Sequence, residues 1–170
     1  MSQEIWINYL KLAVDVDYRK DIRLSARGVV VQDQKILMVQ YIDESGLHYN
    51  LPGGGVEFGE EMRETVRREV KEETLLDVTV GDLLFTYEHI QPEEHVSPWH
   101  SVNFFFRCEP VEGSTAGLPE NPDPNETAVV WMPFDEFREC LLYPMVNGQI
   151  LQALQQNPSH FIETIPIPGA

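Results

Sequence analysis

The chain has 170 residues, 42% hydrophobic and 24% charged, with 28 acidic against 12 basic residues and a net charge of −16. That length fits one domain with a full core; the acid excess and the lack of a basic stripe exclude a nucleic acid polymer as partner and disfavour an anionic membrane. Residues 1–18 show no basic segment followed by an apolar stretch, the longest apolar runs are too short to span a bilayer, and Cys108 and Cys140 have no metal-type spacing, so the expectation is a cytoplasmic protein with two buried thiols.

Leu12, Val14 and Val16 alternate with polar residues and suggest a strand that could pair within the chain or with a second subunit, as in a homodimer. Residues 25–41 predict two strands joined at Gln32-Asp33-Gln34, and 43–50 read as a loop. Pro52-Gly53-Gly54-Gly55 is expected to be neither core strand nor helix interior, but a turn where backbone comes close to a ligand. Residues 60–74 hold no Gly or Pro and predict a helix. Strands follow over 78–87 and 102–108, separated by a loop over 88–101 that holds two prolines and three of the five histidines. A turn-rich loop over 112–126, a short strand over 129–132, helices over 134–142 and 146–156 and a tail from 158 complete the order. Without a regular βαβ rhythm, this mixture predicts an α/β domain with a mixed sheet.

The 60–74 helix poses the chemical question. At 100° per residue, Met62, Val66 and Val70 form one apolar stripe, and Glu69 and Glu73 fall inside it with Glu72 at its margin. Unpaired carboxylates facing a protein body are costly, so a hard divalent cation between them would make sense of the pattern. An acidic surface helix, with Arg68 paired to Glu64 and Glu72, is the plainer alternative.

Residues 54–76, GGVEFGEEMRETVRREVKEETLL, resemble the Nudix box: Gly, five residues, Glu, seven residues, Arg-Glu, an apolar residue, any residue, Glu-Glu, any residue, Gly, an apolar residue. Gly54, Glu60, Arg68, Glu69, Val70, Glu72, Glu73 and Leu76 all fall on it, and Leu75 stands where the family has Gly. The lead-in Leu51-Pro52-Gly53 and the segment 126–134 resemble flanking family segments.

The resemblance implies an α/β/α sandwich over 22–157, with 1–21 an N-terminal extension and 158–170 a C-terminal tail. It implies hydrolysis of a nucleoside diphosphate linked to another moiety, with Mg²⁺ or Mn²⁺ as cofactor. By the same resemblance Glu69 and Glu73 are the leading metal ligands, joined by Glu72, by the Gly53 carbonyl and by Glu60 through bound waters. Arg68 would orient the glutamates. Glu69, Glu72, Glu93, Glu94 and Glu126 are candidates for the catalytic base. Gly54, Tyr49, Trp99 and Glu126 are the substrate-binding candidates, and Phe58, Tyr87 and Phe104 are further aromatics near the loops. His89, His95 and His100 could bind phosphate or move protons. Pro92 stands where ADP-sugar hydrolases of the family carry a proline, a slight lean to ADP-ribose or a nucleotide sugar. A nucleoside triphosphate pyrophosphohydrolase and a catalytically silent nucleotide-sensing module are the alternatives.

Overall fold

The computed structural model describes residues 21–91, 99–155 and 160–162. The strand expected at 12–16 and the dimer contact expected in 1–21 lie outside these residues, as do Pro92, Glu93, Glu94, His95 and Pro98.

Among the described residues, eight strands form one mixed sheet: β1 (Arg23–Gln32), β2 (Lys35–Asp43), β3 (Gly46–Asn50), β4 (Gly53–Gly55), β5 (Val78–Gln91), β6 (Trp99–Pro110), β7 (Glu126–Pro133) and β8 (His160–Ile162). The main path runs β3-β2-β1-β6-β5-β8, with β4 paired to β1 and β7 paired to β2. The β1–β6 and β5–β8 pairs are parallel. Helix α1 (Met62–Thr74) packs on one face; α2 (Phe134–Glu139) and α3 (Asn147–Gln155) pack on the other. The α/β/α layering expected from the sequence is therefore present.

The turn at Asp33-Gln34 has φ 48° and 58°. Two consecutive left-handed residues match the right-handed strand twist, which is why two residues suffice to join β1 and β2. Alternation then sorts each strand between two cores. Val29, Ile36, Met38, Phe85 and Phe105 face Phe137 and Ile150 of α2 and α3. Ala26, Val30, Leu37 and Cys108 face Val66 and Val70 of α1. Both of those helix valines are fully buried, worth ~1.5–3 kcal/mol each.

Several expectations need correction. Residues 46–50 are a strand rather than loop, because Gly46 at φ 96° turns the chain back and Asn50 pairs with Val39. Gly53–Gly55 is a strand rather than a turn. It pairs along β1 through Ser25, Ala26 and Arg27, and ladder hydrogen bonds there outweigh the low strand preference of glycine. Helix α1 begins at Met62, with Glu61 as its cap, so Glu60 precedes it. Within the loop predicted over 88–101, residues 88–91 and 99–101 are strand, since β5 runs to Gln91 and Trp99 pairs with it. The helices expected at 134–142 and 146–156 are shorter. Within the expected tail, β8 pairs with β5 at Phe85, Thr86 and Tyr87. Cys108 is buried as expected, but Cys140 is only half-buried.

Leu75 closes α1 in the left-handed conformation, φ 58°, ψ 3°, its N–H bonding to Lys71 O. A leucine there carries ~1 kcal/mol of backbone strain. Leu75 is also 44% exposed, so little packing opposes its removal. Leu75→Gly is expected to raise the melting temperature by roughly 2–4 °C. A melting temperature at or below that of wild type would mean that the strain is absent or offset.

Candidate functional site

Two glycines let β4 fit closely between β1 and α1. Gly53 is buried at φ 147°, and a Cβ there would sit on Ala26 O and 2.6 Å from Arg27 Cα. A Cβ on Gly54 would meet the Glu69 carboxylate, 2.5 Å from its Cδ. The strand therefore runs directly beside two glutamates of α1. The Gly53 N–H donates to Glu73 Oε2 at 3.0 Å.

Arg68 gathers the acidic groups in front of the helix. Its Nε donates to Glu60 Oε1 at 2.9 Å and its Nη2 to Glu60 Oε2 at 3.0 Å, while Nη1 reaches Glu69 Oε1 at 2.7 Å and Glu72 Oε2 at 3.3 Å. Glu64 pairs with Arg67 instead. A bidentate guanidinium–carboxylate pair fixes direction as well as charge. The Arg68 pair, helped by the Thr65 hydroxyl, holds the Glu60 carboxyl down at about 2. The same pair pushes the Arg68 guanidinium up.

Glu73 sits in the opposite electrostatic setting. Burial pushes its carboxyl up to about 8, and the nearby charges of Glu69 and Glu126 add to this against the Gly53 hydrogen bond and Arg27. Ligand oxygens of Glu73, Asp123 and Glu126 lie within 4.8 Å of one another. Glu126 is buried at 7% exposure. Its Oε1 accepts from the Tyr41 hydroxyl at 2.7 Å and its Oε2 from the Asp123 N–H at 3.1 Å. Burial, followed by that bond to Glu126, pushes the Tyr41 phenol up, which keeps it a donor.

A bulge brings Glu126 here. Pairing of β2 with β7 runs in step from Lys35↔Pro133 to Gln40↔Ala128, then jumps to Tyr41↔Glu126. Thr127 is the extra residue, and its hydroxyl donates to Gln40 O and accepts from Gln40 Nε2. Without it, alternation would send Glu126 to the face of α2 and α3. With it, Glu126 shares the face of Tyr41 and α1.

The sequence candidates thus divide. Glu60, Arg68 and Glu69 form one hydrogen-bonded group, and Glu73 joins Gly53, Asp123 and Glu126. Glu72 is at its edge, its side chain 60% exposed. Tyr49 is elsewhere, packed toward the α2–α3 core with its hydroxyl 3.4 Å from Gln40 Oε1. Phe58 is fully exposed, Tyr87 is core, and Phe104 packs against the α1 core. Trp99 opens β6 opposite Gln91. His100 Nε2 is 3.0 Å from Glu88 Oε1 and His89 Nδ1 is 3.3 Å from the Tyr87 hydroxyl, so both have protein partners. Asp123 was not among the sequence candidates; its only signal is an acid between two prolines just ahead of Glu126.

The donor set is carboxylate oxygen throughout, the preference of hard divalent cations. A buried glutamate beside two further acids, inclined to hold a proton at neutral pH, is the setting a cation would relieve. The residues therefore fit such an ion.

The family model for the NUDIX domain matches residues 22–154. The chain is 33% identical over 117 residues to a MutT-like protein of Streptomyces ambofaciens, covering 68% of this chain and 67% of that protein. It is 41% identical over 81 residues to an ADP-ribose pyrophosphatase of Methanocaldococcus jannaschii, covering 46% of this chain and 41% of that one. The match therefore spans less than half the length of the latter. A crystal structure of an ADP-ribose pyrophosphatase from Streptococcus suis superposes with a TM-score of 0.60 at 22% identity, covering 84% of this chain and 99% of that one; this likeness bears on the fold alone.

Proposed function

We propose, from the fact that this chain belongs to the NUDIX family of pyrophosphohydrolases, that it cleaves the pyrophosphate bond of a nucleoside diphosphate linked to another moiety, with ADP-ribose the leading substrate. One observation carries the reading: α1 and β4 set Glu69 and Glu73 side by side at a strand edge where Asp123 and Glu126 converge on Glu73. The names of relatives from Methanocaldococcus jannaschii and Bacillus subtilis, an ADP-ribose pyrophosphatase and a putative one, support the lean to ADP-ribose.

Glu69, Glu73, Asp123 and Glu126 would hold Mg²⁺ or Mn²⁺, with Glu60 and Glu72 beside them and the Gly53 carbonyl as backbone donor. When bound, the cation screens the diphosphate and lowers the pKa of the attacking water. Arg68 binds Glu60 with two N–H groups and Glu69 with a third, and so restricts their rotamers before substrate arrives. Glu72, its side chain 60% exposed, can accept a proton from solvent-side water. Free Cys108 and Cys140 fit a cytoplasmic setting. No helix among the described residues is long and apolar enough to cross a membrane.

A panel of nucleoside diphosphate derivatives and nucleoside triphosphates, with products identified by mass and by ¹⁸O-water incorporation, tests this. AMP plus a sugar phosphate is the expected outcome; a nucleoside monophosphate plus pyrophosphate would shift the substrate class. No product from any of them with Mg²⁺ or Mn²⁺ would sink the reading. In the same panel Trp99→Ala, at the end of the β5–β6 hairpin, is expected to raise KM for at least one substrate. An unchanged KM throughout would leave Trp99 a purely structural residue.

A further inference from the structure

On the face of the sheet away from α1, the core turns polar toward one end. The Phe85 and Phe105 rings stack at 4.5 Å, and beyond them lie the buried Ser25, Ser101 and Asn103. Arg27 is on this face, two residues from Val29 on β1. Its Nη1 donates to Leu51 O at 3.2 Å and its Nε to Asn103 Oδ1 at 3.4 Å. Asn103 is held in turn by donating to Ser101 Oγ at 3.1 Å.

Both partners of Arg27 are neutral oxygens, and among the described residues no carboxylate lies within ion-pair distance of it. That is unusual in a chain with 28 acids and 12 bases, and a half-buried guanidinium without a counter-ion is unfavourable. A guanidinium carries five N–H donors, and these two bonds use two. Nη2 makes no hydrogen bond, and no fully buried side-chain nitrogen or oxygen among the described residues lacks a partner, so Nη2 is not fully enclosed. Arg27 is also paired through its backbone with Gly53, the residue whose N–H holds Glu73. The Arg27 guanidinium and the Glu73 carboxylate are also close enough for their charges to interact, which puts Arg27 beside the acidic group.

We infer that Arg27, braced by Leu51 O and Asn103, binds a phosphoryl group of the substrate through the open edge of its guanidinium. The inference rests on the reading of the chain as a hydrolase of nucleoside diphosphate derivatives, and adds a cationic contact on the opposite side of β4 from the glutamates. The planar fork suits two phosphoryl oxygens at once. Burial lowers the proton affinity of Arg27, and Glu73 opposes that; it remains charged at neutral pH.

The test is ADP binding in EDTA, by calorimetry and by ligand-induced thermal shift, for wild type, Arg27→Gln and Arg27→Lys, with KM and kcat for ADP-ribose in Mg²⁺ alongside. A lost charge-assisted contact predicts ADP binding at least ~10-fold weaker in Arg27→Gln. KM for ADP-ribose should rise more than kcat falls. The Mg²⁺-induced thermal shift without nucleotide should be retained, because the carboxylates are untouched. Arg27→Lys keeps the charge and loses the fork, and should fall between the two. Were Arg27→Gln not to fold, Arg27→Lys decides: unchanged ADP affinity and KM in the lysine variant would overturn the inference. So would unchanged affinity and KM in a folded Arg27→Gln. If wild type binds ADP through Arg27 but hydrolyses nothing, the hydrolase reading fails and the anion contact stands.

Discussion

Glu73→Gln is expected to lower turnover by at least ~100-fold while leaving the fold intact. Glutamine keeps the size of the side chain and is nearly as good a helix former. What is lost is the charge at the point where Gly53, Asp123 and Glu126 converge. The pH dependence of stability gives a second readout. In metal-free wild type the Glu73 carboxyl goes from an ordinary 4.5 in the unfolded chain to about 8 in the folded one. The folded state keeps a proton that the unfolded state releases between those values. Its stabilising effect is complete below the lower value and is lost as pH rises through the upper one. Metal-free wild type should therefore melt at falling temperatures from about pH 5 to pH 8, and Glu73→Gln should flatten that slope. Adding Mg²⁺ should raise the melting temperature of wild type at the upper end of the window through ligand linkage, and EDTA should reverse it; the mutant should respond less. Near-normal turnover of Glu73→Gln in Mg²⁺, or equal Mg²⁺ shifts in the two proteins, would place the cation elsewhere.

Among the described glycines, Gly53→Ala should be the most damaging substitution. At φ 147° an L side chain is strained, and its Cβ would land on backbone atoms of β1 that cannot swing away. Backbone strain and overpacking together should cost ~2–6 kcal/mol, against a total stability of ~5–15 kcal/mol for an ordinary domain. Gly55→Ala is the control. Its Cβ would come no closer than 3.5 Å to the Arg23 side chain, and its φ raises no such barrier. Chemical denaturation should give a midpoint close to wild type for Gly55→Ala and a large drop, or no folded protein, for Gly53→Ala. Equal midpoints for the two variants would show that β1 and β4 can separate at no cost.

The helix carrying the glutamates was legible because its signal is local. Residues 62 to 74 hold apolar positions at helical spacing, and the box residues around them have fixed separations. The β1–β2 hairpin was legible for the same reason. The glycine strand was not, because local preference argues against it; its partner is 26 residues upstream in the register Arg27↔Gly53, and that pairing decides its state. Glu126 could be named as an acid in a suggestive place, but its direction could not be read. Strict alternation along β7 points it away from Glu73, and only the pairing with β2 reveals the extra residue. Asp123 depends on the same event, being tied by its N–H to the Glu126 carboxylate. The direction of Tyr49 is likewise hidden while 43–50 reads as loop. Once it is a strand, Tyr49 pairs with Gln40 and faces the other core.

That extra residue gives β7 an unusual sensitivity. Thr127 binds Gln40 through its hydroxyl, yet replacing it with another residue would keep the number of positions between Glu126 and Ala128 the same. Deleting it would not. The two strands would then pair in step to their ends, and the carboxylate would turn to the far side of the sheet with its own chemistry unaltered. Tolerance here should depend on tally more than on kind: exchanges at position 127 survive where a loss of one does not. Shortening the chain by a codon at this point should silence the site as thoroughly as removing the glutamate, while every acid in the sequence is still present.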